Sequence, residues 1–79
     1  MSEAKRRIRY LFAGIVQGVG FRPFVYRLAM RHRLAGWVRN TPAGVELEVE
    51  GSEEPLVRFL ADIEQEAPPL AVITAVRWE

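Results

Sequence analysis

Apolar and polar positions switch along this chain between a period of two and a period near 3.6, and each switch predicts an element. Ile8, Tyr10 and Phe12 alternate with Arg9, Leu11 and Ala13, which predicts a first strand with one buried face. After a glycine-rich turn, Phe24, Val25, Leu28, Ala29 and His32 recur at helical spacing to about Arg33. Pro23 suits the first helical position, where its missing N–H is no loss. It also biases Arg22 toward extended backbone, which would hold the arginine outside the helix, at its mouth. Gly36 opens a second strand running to about Asn40, and Thr41-Pro42-Ala43-Gly44 supplies turn chemistry. The third strand has the clearest alternation, with Val45, Leu47 and Val49 facing one way and Glu46, Glu48 and Glu50 the other. Ser52 is the expected N-cap of a second helix; Glu53 and Glu54 complement its dipole, and Pro55 is still in its first turn. Leu56, Phe59, Leu60 and Ile63 give that helix one apolar face, ending before Pro68. From Val72 to Trp78 a fourth strand is expected, although the alternation does not reveal its inward face.

Strand, helix, strand, strand, helix, strand is the order of the split βαβ, or ferredoxin-like, arrangement. The predicted fold is α+β: an antiparallel four-stranded sheet with two helices on one face. Residues 1–79 are expected to form a single domain, without repeats, linkers or low-complexity tracts. At 79 residues a single core is close to the lower limit of self-sufficiency. The balance of 49% hydrophobic and 27% charged residues is ordinary for a globular protein. The chain has no cysteine, which removes disulfides, thiolate metal sites and a cysteine nucleophile from consideration. No apolar run approaches the ~20 residues that span a bilayer. The charged start Ser2-Glu3-Ala4-Lys5-Arg6-Arg7 leads into no secretory core, so a cytoplasmic location and no membrane contact are expected. A net charge of +1 is too small to indicate nucleic acid. The basic residues do cluster, as Lys5, Arg6, Arg7 and Arg9 and again as Arg27, Arg31, His32 and Arg33. Such groups could steer a small anion, but the simpler reading is the solvated face of a strand and a helix.

The chemistry concentrates in Gly14-Ile15-Val16-Gln17-Gly18-Val19-Gly20-Phe21-Arg22. Glycines at 14, 18 and 20 allow backbone that other residues avoid, so that successive N–H groups converge as a nest for an anion. The following helix adds its unpaired N–H groups and the positive end of its dipole. Arg22 adds a planar, permanently charged fork that matches phosphate oxygens. Two other phosphate motifs are excluded. No Gly-Lys-Ser/Thr triplet ends the turn, and Pro23 stands where a dinucleotide fingerprint needs its third glycine. Without further context, a plain glycine turn with a surface arginine is an equal reading.

Context comes from Gly36-Trp37-Val38-Arg39-Asn40 and Gly44-Val45-Glu46. Gly-Val-Gly-Phe-Arg followed by these two segments resembles the acylphosphatase family over residues 10–51, and more weakly beyond. The resemblance implies that Val16, Gln17, Gly18, Val19, Gly20 and Arg22 bind the phosphate, and that Asn40 orients the attacking water. Phe21-Arg22-Pro23-Phe24-Val25-Tyr26-Arg27-Leu28-Ala29 and Pro68-Pro69-Leu70-Ala71 are similar to the amino-terminal domain of the carbamoyltransferases that mature nickel–iron hydrogenases. By that resemblance the substrate is carbamoyl phosphate, and the chain is a fragment of a longer protein. Its other domains and hydrogenase maturation partners would be the macromolecular partners, and those other domains would activate the released carbamate with ATP. The family commonly continues into a further short edge strand, which this chain lacks.

The inventory is consistent with hydrolysis by positioning and electrostatics. There is no serine–histidine pair for covalent chemistry, and no spacing of metal ligands. No metal and no cofactor are expected. Under the cradle reading Gln17 contributes its backbone N–H. His32 reads as a helix residue without a catalytic role, Phe21 as core, and Trp37 as packing on the sheet rather than facing the site. RNA-recognition domains share this strand order, but they read bases with aromatic residues on a positive sheet surface. Glu46, Glu48 and Glu50 occupy that surface here, so no nucleic-acid partner is expected. Inorganic phosphate and an acyl or carbamoyl phosphate are the expected ligands. A free-standing acylphosphatase of broad specificity and a regulatory anion-binding domain are the alternatives.

Overall fold

A computed structural model describes residues 5–79; Ser2, Glu3 and Ala4 of the charged start lie outside the described residues. The strands β1 (Arg6–Ile15), β2 (Ala35–Thr41), β3 (Gly44–Gly51) and β4 (Val72–Trp78) form one antiparallel sheet in the order β2-β3-β1-β4. Helix α1 (Phe21–Arg31) joins β1 to β2, and α2 (Glu53–Glu66) joins β3 to β4. Each strand–helix–strand unit leaves a gap that a strand of the other unit fills. This is the α+β split βαβ fold that the element order predicts.

The core lies between the helices and one face of the sheet. Tyr10 and Phe12 of β1 meet Val45, Leu47 and Val49 of β3, and all are buried. Phe21, Phe24, Val25 and Leu28 of α1 and Leu56, Phe59 and Ile63 of α2 close over them. Each such side chain contributes about 1.5–3 kcal/mol by leaving water. Ser52 takes the N-cap position of α2 in extended conformation, although its hydroxyl makes no capping hydrogen bond.

β4 explains its own unclear pattern. Phe12 pairs with Val76 and Ala13 with Ala75, but Gly14 pairs with Ile73, so Thr74 is left over as a bulge. The extra residue moves the inward positions from a spacing of two to a spacing of three. Ile73 and Val76 therefore both pack against the core.

Helix α1 departs from expectation at both ends. It begins at Phe21, with Gly20 as N-cap, so Pro23 is the third helical residue and Arg22 lies inside the first turn. The bias that proline places on its predecessor is overcome because Phe21 must be buried, its ring 5.5 Å from that of Phe12. A proline in the first turn sacrifices no hydrogen bond, since those amides have no helical partner. At the other end the helix stops at Arg31 rather than Arg33. Leu34 N donates to Ala29 O (2.9 Å) and Arg33 N to Met30 O (3.1 Å), a Schellman closure. Arg33 takes the left-handed position with φ 56°, where glycine is usual.

The basic clusters are largely paired within the fold. On the open face of the sheet Glu48 receives Arg7 (2.8 Å) and Arg9 (3.6 Å), while Glu46 receives Arg39 (2.6 Å). The hydrogen bond from Arg7 is the main reason that the Glu48 carboxyl is held below its ordinary pKa. Trp37 lies on this face, with the guanidinium groups of Arg39 and Arg9 4.9 and 5.8 Å from its ring. Between the helices, Arg31 bonds Glu66 and His32 bonds Asp62 (2.7 Å), so His32 ties α1 to α2. Among the described residues, no helix is long and apolar enough to cross a membrane.

Candidate active site

The cradle grows out of the end of β1. Val16 is buried and anchors the chain in the core, after which residues 17–20 turn outward. Gly18 and Gly20 both have positive φ, 73° and 82°, which favours glycine; a Cβ on either would meet no atom within 4 Å. The space beside both glycines is therefore open. Among the described residues, the amides of Gln17, Gly18, Val19 and Gly20 donate to no backbone carbonyl. The first helical hydrogen bond runs from Phe24 N to Gly20 O (3.2 Å), which leaves the amides of Phe21 and Arg22 without helical partners. No acidic residue occupies the first turn of α1. A row of unsatisfied donors at the positive end of a helix is a site for a small anion.

Arg22 is exposed at this turn and takes part in none of the ion pairs among the described residues. Arg6, Arg7, Arg9, Arg31, Arg39 and Arg58 all have carboxylate partners. An arginine without a carboxylate, beside free amides, keeps its full positive field for a ligand.

Asn40 reaches the same end of the molecule from β2. It pairs with Val45, which pairs with Phe12, which pairs with Val76, so the four form one row across the helix-facing side of the sheet. Phe21, at the start of α1, stacks on Phe12 in that row. The aromatic contact thus sets the first turn of α1, and with it Arg22, over the row that ends in Asn40. Trp37 belongs to the opposite face, because it pairs with Glu48. The larger concavities of the surface lie elsewhere, about 460 Å³ between the end of α2 and β4 and about 330 Å³ between the end of α1 and the start of α2.

Residues 16–20 and Arg22 are contiguous in the turn from β1 into α1, Asn40 lies on the row of β2 that continues to Phe12, and one further contact links the two segments. The side-chain Nε2 of Gln17 donates to the carbonyl oxygens of Thr41 (2.6 Å) and Gly44 (3.0 Å), on the hairpin next to Asn40. No pattern in the sequence marks that contact, since it joins residues far apart in the chain. Among the described residues, no three histidine, cysteine, aspartate or glutamate side chains gather as a metal site.

Fold and site together define a small α+β domain with a row of unpaired loop amides and an exposed arginine at one end of its sheet. The chain belongs to the acylphosphatase family, whose sequence profile matches residues 8–79. It is 54% identical to carbamoyltransferase HypF2 of Cupriavidus necator over 73 residues, which is 92% of this chain and 9% of that protein. It is 49% identical to the acylphosphatase of Bacillus licheniformis, over 90% of this chain and 79% of that one. A crystal structure of full-length HypF in its phosphate- and nucleotide-bound form superposes with a TM-score of 0.96 at 37% identity, covering 100% of this chain and 10% of that chain. The domain is thus related both to free acylphosphatases and to a small part of the much longer carbamoyltransferases.

Proposed function

We propose that this chain hydrolyses acyl phosphates at the cradle, with carbamoyl phosphate as its substrate, as a step of carbamoyl transfer in the maturation of nickel–iron hydrogenase. The observation that carries the reading is the convergence of unpaired loop amides and unpaired Arg22 at the helix start, beside Asn40. The amides of residues 17–20 and the Arg22 fork hold the phosphoryl oxygens and neutralise their charge. Asn40 holds a water in line with the phosphorus. The water oxygen attacks phosphorus as the bond from phosphorus to the carboxyl oxygen breaks. A substrate oxygen takes the water's proton, and phosphate and the carboxylate leave. With carbamoyl phosphate the second product is carbamate. Because the leaving group is a carboxylate, no strong protein base is required, which fits a site without one.

The similarity to carbamoyltransferases supports the choice of carbamoyl phosphate and of a longer parent protein whose other domains use the carbamate. Phosphate release from acetyl, benzoyl and carbamoyl phosphate, measured side by side, tests it. Turnover of all three is the expected result. Turnover of acetyl and benzoyl phosphate alone would leave a general acylphosphatase. Phosphate binding without turnover of any would leave a domain that only senses an anion.

A further inference from the structure

Gln17 uses its side chain for something that its place in the cradle does not require. Both partners of its Nε2, Thr41 O and Gly44 O, are acceptors, so only the NH₂ end of the amide fits, and both of its hydrogens are used. Thr41 and Gly44 form the last rung between β2 and β3, and Asn40 is the residue before Thr41. The turn is itself braced: Thr41 Oγ1 accepts from Ala43 N and donates to Gly44 O, both at 3.2 Å. Gln17 therefore grips a stiff hairpin rather than a loose loop. Among the described residues, no other side-chain hydrogen bond joins residues 16–22 to β2 or to its turn.

We infer that Gln17 is a positioning residue: its side-chain amide holds the separation between the phosphoryl group in the cradle and the water on Asn40. The inference rests on the reading of Asn40 as the group that orients that water. In-line attack tolerates little displacement, and a shift of about 1 Å between reacting groups costs on the order of 10² in rate. Backbone N–H groups bind the phosphate in every variant at position 17, so loss of the side-chain amide should slow turnover without weakening the anion.

The test is a cycle of Gln17→Met, Asn40→Ala and the double variant, with kcat and KM for acetyl phosphate and the inhibition constant of inorganic phosphate. Methionine keeps the length of glutamine and removes the donors. Gln17→Met should lower kcat by about 10- to 100-fold and leave phosphate inhibition within about twofold. The double variant should be no slower than Asn40→Ala alone, because the group being positioned is already gone. Gln17→Glu, which sets a carboxylate against two carbonyls, should be at least as slow as Gln17→Met, with circular dichroism at the assay temperature confirming that both are folded. Native kcat in folded Gln17→Met, or phosphate affinity falling in step with kcat, overturns the inference. So do losses that multiply in the double variant, since Gln17 would then act independently of Asn40. Native kcat in Asn40→Ala alone removes the reading of Asn40 itself, and with it this role for Gln17.

Discussion

Arg22 is the residue whose surroundings say most about its task. It is exposed, has no carboxylate partner among the described residues, and sits in the first turn of a helix that contains no acidic residue there. Arg22→Ala should leave the fold intact, because the side chain packs against nothing in the core. It should lower kcat/KM for acetyl phosphate on the order of 10²- to 10³-fold, as expected for one lost electrostatic stabiliser. Arg22→Lys should recover little, since a point charge does not reproduce the fork. Unchanged hydrolysis in Arg22→Ala would refute the assignment. Asn40→Ala should behave differently: phosphate inhibition near native, kcat lowered by about 10²-fold or more. If binding and turnover fall together, Asn40 contacts the phosphate or supports the strand, and the water has another holder.

At the scale of elements, the ends of α1 show local preference yielding to packing. Pro23 is a sound signal that a helix starts nearby, but burial of Phe21 draws the start two residues earlier and takes Arg22 into the helix. The C-terminal end is closed by a non-glycine residue in left-handed conformation, Arg33 at φ 56°. Such a position costs a non-glycine residue on the order of 1–3 kcal/mol, part of which glycine returns through its freer unfolded chain. Arg33→Gly should therefore raise stability by about 1 kcal/mol, which in a domain of this size is a rise in Tm of about 4–8 °C. A lower Tm in Arg33→Gly would mean that the arginine side chain contributes a contact that outweighs its backbone strain. The turn at residues 17–20 is the converse case, where glycines stand at the positions with φ of 73° and 82° and a Cβ would meet open space.

For the whole molecule, stability should fall at both extremes of pH, and different residues set the two limbs. The hydrogen bond from Arg7 holds the Glu48 carboxyl below its ordinary pKa, assisted by the charges of Arg7 and Arg9. A carboxyl with a depressed folded value stabilises above its ordinary value of about 4.3, and loses that contribution as pH falls through the folded value. Burial pushes the Tyr10 phenol up, against a smaller opposing effect of Arg6. A phenol with a raised folded value stabilises below its ordinary value of about 10, and loses the contribution as pH rises through the folded value. Melting curves from pH 3 to pH 11 check both signs. Glu48→Gln should flatten the acid limb and leave the alkaline limb alone, and Tyr10→Phe should do the reverse. Parallel curves for either variant and the parent would assign that limb to other groups.

Much of this protein was determined by its sequence alone, because period and turn chemistry are local. The alternation of Val45, Leu47 and Val49 with three glutamates placed β3 and its faces, and the six elements in their order predicted the split βαβ sheet. The glycine turn and Arg22 were legible as a candidate anion site, because glycine spacing and an arginine after it are visible without coordinates, whereas Asn40 stood out only through the resemblance to acylphosphatases. What the tertiary structure alone decided depends on pairs that are distant in the chain. The inward face of β4 follows from a bulge against β1, so Ile73 and Val76 could not be paired from their own spacing. The basic clusters turned out to be spent largely on Glu48, Glu50, Glu66 and Asp62, which no charge count along the chain distinguishes from free arginines. Gln17 and Thr41 lie 24 residues apart, and their hydrogen bond exists only because β1 and the β2–β3 turn end on the same side of the sheet. A residue's type and local period carry over into any fold, whereas its partner across the sheet exists only once the register is set.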